Sequence, residues 1–209
     1  NSFIGNAEVT MAGYYMMAKQ LIEKNDNIST IVIVTAPMYI GNGLHLKNSY
    51  GYFVKPFLTF SNLKYFDKSI YKRLLKYPSS FLCIYKAIKV LPIDDIDFSK
   101  DYVFKRSFSE IGILYIKKLK ELCHENNIAL IFTSPPLKRS FKDKIPKWGK
   151  YQQQIVDNGL DTIFNGYLKN ITYLPDSCFM DYGHYTYKFL TTDNNRERLR
   201  KLVLNQNKP

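Results

Sequence analysis

The sequence predicts an α/β fold built on a parallel sheet. Two runs carry that expectation, "STIVIVTAP" (29–37) and "IALIFTSPP" (128–136), each apolar at consecutive rather than alternate positions. A strand buried on both faces reads this way, whereas a strand with one wet face alternates. The third observation is order. Helical periodicity precedes each run, and the alternation of helix and strand continues to the end of the chain, as in layered folds with parallel strands. Such folds gather their sites at the carboxyl ends of the strands.

The elements follow in turn. "NSFIGNAE" reads as a turn, and "VTMAGYYMMAKQLIEK" then spaces Met11, Tyr14, Tyr15, Ala18, Leu21 and Ile22 as one helical face. The first strand follows, with Pro37 expected to stop it. From 38 to about 106 glycines and aromatics crowd "MYIGNGLHLKNSYGYFVKPFLTF", ahead of two short helical patterns in "DKSIYKRLLKYP" and "SSFLCIYKAIKV". This stretch reads as an insertion or lid over the sheet, its aromatics serving as packing or as a platform for carbohydrate or an acyl chain. A helix resumes in "SFSEIGILYIKKLKELCHENN", where Ser107 and Glu110 fit a capping box and Ile111, Leu114, Leu119 and Leu122 supply the apolar face. The second strand comes next and ends at Pro135 and Pro136. "KYQQQIVDNGLDTIFNGYL" is a looser helical region, "ITYLP" a short third strand, and "DNNRERLRKLVL" a final amphipathic helix with Leu199, Leu202 and Val203 on one side.

With 209 residues, 45% of them hydrophobic, the chain can bury the core of one domain spanning 1–209, and is too short for two full ones. The net charge of +12 favours acidic partners. Yet the cations are scattered through "KYFDKSIYKRLLK", "IKKLK", "PLKRSFKDKIPK" and "RERLRK", as on solvated faces, and no nucleic-acid signature accompanies them, so nucleic acid is not the expected partner. Cys83, Cys123 and Cys178 are odd in number, without metal spacing or a C-x-x-C pair, which argues against a disulfide framework. Cys83 and Cys123 sit in apolar helical patterns and read as core. No apolar run approaches the roughly twenty residues of a transmembrane helix. The cysteine usage leaves the compartment open between cytosol and cell envelope.

One motif carries chemistry. In "CFMDYGHYTYKF" (178–189) Asp181 precedes His184 by three residues, in a loop after a strand. A histidine so placed takes a hydroxyl proton through one ring nitrogen while the carboxylate fixes the other. His45 lies in the insertion, and His124 near a helix end reads as a surface residue.

"FMDYGHYT" resembles the C-terminal D-x-x-H block of the SGNH, or GDSL-type, hydrolase and acyltransferase superfamily. "NSFIGN" is similar to that family's second block, an Asn-rich turn, and the two apolar runs occupy the places of its strands. The likeness spans the chain apart from the insertion, with Asp181 and His184 its specific part. It implies a three-layer, flavodoxin-like sandwich around a central parallel sheet. It also implies a serine esterase or O-acyltransferase acting on an ester, acetyl above all, of a carbohydrate or another small substrate. Asp181 and His184 would belong to the triad, the backbone N–H of Gly5 or Asn6 would contribute to the oxyanion hole, and no dissociable cofactor is implied. The sequence departs from the pattern twice. The G-D-S block is not found, and "APMY" replaces G-x-N-D, with Asn42 further on as a loop asparagine or an oxyanion donor. The nucleophile is expected upstream of Asn1; Ser2 in "NSFIG" is the alternative, and Ser134 reads as structural. The competing reading is a protein of the same fold that lacks the triad and holds an anionic glycan on its basic, aromatic surface.

Overall fold

A computed structural model describes residues 10–41, 107–144, 149–181, 183–192 and the positions 194, 197 and 201. Most of the expected insertion, the first turn, and Leu199, Leu202 and Val203 lie outside the described residues.

Helix α1 (Met11–Lys24) starts where Thr10 Oγ1 accepts the Gly13 N–H at 3.2 Å, satisfying a donor that the first turn cannot pair. It buries Met11, Ala12, Met16 and Ala18, with Tyr14, Tyr15 and Ile22 packed alongside. Strand β1 (Thr30–Val34) follows. Pro37 then opens the short helix α2 (Pro37–Ile40), a first-turn position where its missing N–H costs nothing. Ile40 is fully buried, so the core extends to the start of the segment read as an insertion.

Helix α3 (Glu110–Glu125) is capped by Ser109, whose Oγ accepts the Gly112 N–H at 3.0 Å. The expected box of Ser107 and Glu110 is therefore not the cap: Ser109 takes it, and Glu110 becomes the first helical residue. The helix buries Ile111, Tyr115, Ile116, Leu119, Leu122 and Cys123, while Leu114 is partly buried. It ends in a Schellman motif, with the Ile128 N–H on the Cys123 carbonyl at 2.8 Å, the Asn127 N–H on the His124 carbonyl at 3.1 Å, and Asn127 at φ 55°.

Strand β2 (Ala129–Thr133) runs parallel to β1, in register from Thr30 opposite Ala129 to Val34 opposite Thr133. Ile33, Leu130 and Phe132 join one core cluster with the buried residues of α1 and α3, which pack against each other. On β1 the other face is open: Val32 and Val34 are 42% and 39% exposed. Burial of this strand on both faces, expected from its continuous apolar run, is corrected here. The helices whose side chains join its cluster serve the face that carries Ile33.

Strand β3 (Leu137–Lys138), helix α4 (Phe141–Lys144), helix α5 (Gly149–Asp157), strand β4 (Tyr173–Leu174), a 3-10 turn (Asp176–Cys178) and helix α6 (Tyr187–Thr191) complete the order. The "ITYLP" strand does form, as β4, and it too is parallel. Its ladder is with β3, Leu137 opposite Tyr173, and not with β1 or β2. Pro135 and Pro136 separate the two ladders, since proline brings no N–H to a sheet. The described residues thus form a mixed α/β structure with two small parallel strand pairs.

The core cluster of the first ladder includes an aromatic group. Phe132 stacks on Phe164 with centroids 4.4 Å apart, and Phe108 meets Tyr151 edge-on at 4.9 Å. The Gln154 amide pairs with both backbone groups of Phe108, at 2.8 and 3.2 Å, tying α5 to the approach to α3. Helix α5 closes with a second Schellman motif, in which Gly159 takes φ 62° and Leu160 N–H reaches the Ile155 carbonyl at 3.0 Å. Among the described residues no helix is long and apolar enough to cross a membrane.

Candidate active site

The β1 and β2 ladders end together. The Thr35 N–H still donates to the Thr133 carbonyl at 2.9 Å. Beyond it Pro37, Pro135 and Pro136 offer no N–H, so carbonyls at these strand ends need other donors. Tyrosines supply them. Tyr14 Oη donates to the Val34 carbonyl at 3.3 Å, Tyr167 Oη to that of Thr35, and Tyr185 Oη to that of Pro136 at 3.0 Å. Burial pushes the Tyr167 and Tyr185 phenols well above the ordinary tyrosine value, which keeps both as donors.

Polar side chains gather here as well. Of the buried polar side chains among the described residues, Thr10 caps α1, and the others, Thr35, Thr133 and Ser134, sit at these strand ends. Ser134 Oγ donates to the Pro135 carbonyl at 2.9 Å. Thr35 Oγ1 is buried with no hydrogen-bond partner.

The loop bearing Asp181 and His184 is a tight hairpin. Phe179 and Tyr185 face each other in an antiparallel bridge, Met180 N–H reaches the His184 carbonyl at 2.7 Å, and Thr186 N–H reaches that of Cys178 at 2.9 Å. At its tip Asp181 uses both oxygens. Oδ1 accepts the Gly183 and His184 N–H groups at 2.8 Å each, and Oδ2 lies 2.7 Å from His184 Nδ1. Aspartate favours such turns because its short side chain reaches amides two and three residues on. Burial pushes the Asp181 carboxyl up, but the Gly183 and His184 amides and the His184 ring outweigh it, so the net position is below the ordinary carboxylate value. Its side chain is 20% exposed, while the His184 ring is 63% exposed.

The hairpin docks on the strand ends. Besides its bond to Pro136, the Tyr185 ring lies 4.8 Å from that of Phe179 and 5.5 Å from that of Phe189, and Thr186 Oγ1 caps α6 by accepting the Phe189 N–H. From the β1 side comes Tyr39, so close that a β-carbon on Gly183 would lie 2.7 Å from its hydroxyl. Between them is a cleft of ≈ 30 Å³, lined by Ala36 and Tyr39 after β1, Pro135 and Pro136 after β2, Leu137 of β3, and Phe179, Gly183 and Tyr185 of the hairpin. Met180 and Tyr187, 72% and 80% exposed, flank the His184 loop in sequence. Chemically this is an oriented imidazole, its Nδ1 turned to the Asp181 carboxylate.

Of the residues singled out in the sequence, Asp181 and His184 are brought together. His124 is exposed in the last turn of α3, and Cys123 is buried. Ser2, Gly5, Asn6, Asn42, His45 and Cys83 lie outside the described residues. Sequence reasoning missed the tyrosines at the strand ends. The available signal was the proline that ends each apolar run, since the carbonyls around it call for donors from elsewhere. Among the described residues no three His, Cys, Asp or Glu side chains meet as metal ligands. Comparison of the chain with protein-family models, with curated proteins and with solved structures gives no significant match.

Proposed function

We propose that this chain carries the acid and base of a serine esterase or O-acyltransferase of the SGNH type, in a three-layer fold of that kind. The observation that supports it is the His184 ring held at 2.7 Å by Asp181, on a hairpin docked at the carboxyl ends of parallel strands. A serine hydroxyl attacks the ester carbonyl while His184 Nε2 takes its proton. His184 then returns that proton to the departing alkoxide, and Asp181 stabilises the imidazolium in between. Water or a sugar hydroxyl next attacks the acyl-enzyme, which decides between hydrolase and transferase. The N–H groups of Gly5 or Asn6 are the proposed oxyanion donors. An acetylated carbohydrate is the proposed substrate, with exposed Tyr187 and Met180 offering apolar surface to a sugar ring.

One observation favours a second reading. A 63% exposed ring beside so small a cleft suits surface contact with an anionic glycan, without catalysis. Hydrolysis of p-nitrophenyl acetate by the native protein, together with any residues that precede Asn1, and by its His184→Ala variant separates the two. The acyl-transfer reading expects a rate that collapses in the variant; background rates in both would leave only the binding reading.

A further inference from the structure

We infer that Lys138 and Arg139 form an anion-binding subsite at the rim of the cleft, and that the carbohydrate taken there is an acidic one, a sugar carrying a carboxylate. The inference rests on the carbohydrate partner that both readings above share, and narrows it by charge. Lys138 closes β3 directly after the cleft residue Leu137, and its Nζ stands 5.8 Å from the centroid of the Phe179 ring, another wall of the cleft. The ring face holds the ammonium in place without neutralising it. Around the next turn come Arg139 and Lys142, both exposed, joined by the Lys142 N–H on the Arg139 carbonyl at 3.0 Å. The Arg139 N–H is itself fixed on the Leu174 carbonyl at 2.8 Å, so the second strand pair anchors this turn.

One carboxylate shares the turn. Asp176, exposed after β4, accepts the Ser140 N–H at 3.0 Å. Hydrogen bonds from the Ser140 hydroxyl and amide, then the Lys138 charge and the Arg139 amide, outweigh its slight burial and hold its carboxyl below the ordinary value. Among the side chains described at this turn, Lys138, Arg139 and Lys142 thus stand with a single anion, a local excess of positive charge in a chain of net charge +12. The mixture selects the partner. A sugar acid brings a carboxylate to Lys138 and Arg139, and hydroxyls that donate to the lone pairs Asp176 has left. A nucleic-acid backbone would bring no such donors and would set its phosphates against Asp176.

The test measures binding of tetragalacturonate, and of galactotetraose as its uncharged counterpart, to the native protein with any residues that precede Asn1, by isothermal titration calorimetry. At low salt the acid is expected to bind about fivefold or more tightly than the neutral sugar, as for one or two exposed charge pairs. The difference should vanish at about 1 M salt, where the screening length is about 3 Å. Lys138→Gln combined with Arg139→Gln should abolish it, and Lys138→Arg combined with Arg139→Lys should keep it. Should the glutamine variant fail to fold, the salt dependence of the native protein decides the matter. Equal affinity for the two sugars, or a preference indifferent to salt and to the substitutions, overturns the inference. So does single-stranded oligodeoxythymidine bound more tightly than tetragalacturonate. If hydrolysis of p-nitrophenyl acetate collapses in His184→Ala, each of these outcomes spares the acyl-transfer reading. Background hydrolysis with the charge preference intact overturns that reading alone.

Discussion

Thr35→Val should make the protein more stable. Thr35 is 2% exposed at the end of β1, and its Oγ1 is buried without a partner. A hydroxyl taken from water and left unpaired costs about 1–3 kcal/mol. Valine replaces it with a methyl on the same branched frame and leaves the backbone bonds intact, those from Thr35 N–H to Thr133 and from Tyr167 to the Thr35 carbonyl. Part of the gain goes into accommodating the methyl in a packed site. The expected net is about 1 kcal/mol, which for a chain of this length raises Tm by about 2–4 °C. Urea denaturation should show a higher midpoint at unchanged slope. Thr35→Ser serves as the control: it keeps the orphan hydroxyl, deletes a buried methyl, and should lose about 1 kcal/mol. A valine variant less stable than native by about 1 kcal/mol or more would show that Oγ1 is hydrogen-bonded and refute the argument.

Three further outcomes are expected. Because the folded Asp181 carboxyl sits below its unfolded value, the hairpin's pairing is complete above the ordinary carboxylate pKa and is lost as pH falls through the depressed one. The Gly183 and His184 amide resonances should therefore titrate with a midpoint below about 3.9, and a midpoint at or above it contradicts the bonding described. Asn127→Gly should gain a few tenths to about 1 kcal/mol, and Asn127→Ala should lose about 1, because position 127 is left-handed; urea midpoints in the reverse order would refute this. Burial pushes the Cys123 thiol up to about 11, so in the native state iodoacetamide should modify the half-buried Cys178 well before Cys123, as read by peptide mass mapping; equal rates would contradict it.

What was legible in the sequence was local. Asp181 and His184 could be paired because an aspartate turn closes within four residues, so spacing alone specifies the geometry. The parallel arrangement of β1 and β2 followed from their unbroken apolar runs and the helices between them. Long-range bonds left no such trace. Tyr185 reaches Pro136 across 49 residues and Tyr167 reaches Thr35 across 132, and nothing in either neighbourhood names the partner. The two-residue strand β3 is too short for any period to register. At the start of α3 the cap falls on Ser109 and not on the expected Ser107, and the Ser109 Oγ also lies 3.5 Å from the Ile40 carbonyl, a long-range contact that spacing does not show. The open face of β1 was misread because a continuous apolar run reports what a strand can tolerate, while the helices decide which side they shelter.

Asp181 spends its oxygens on residues two and three further along, so acid and imidazole travel as one piece. Rocking the hairpin would redirect the ring without loosening the grip on it. Aim is therefore governed elsewhere, by Tyr39 arriving from one strand and by Tyr185 anchoring to the other. A change at either phenol would re-point an intact pair, an alteration that no inspection of the four-residue motif would reveal.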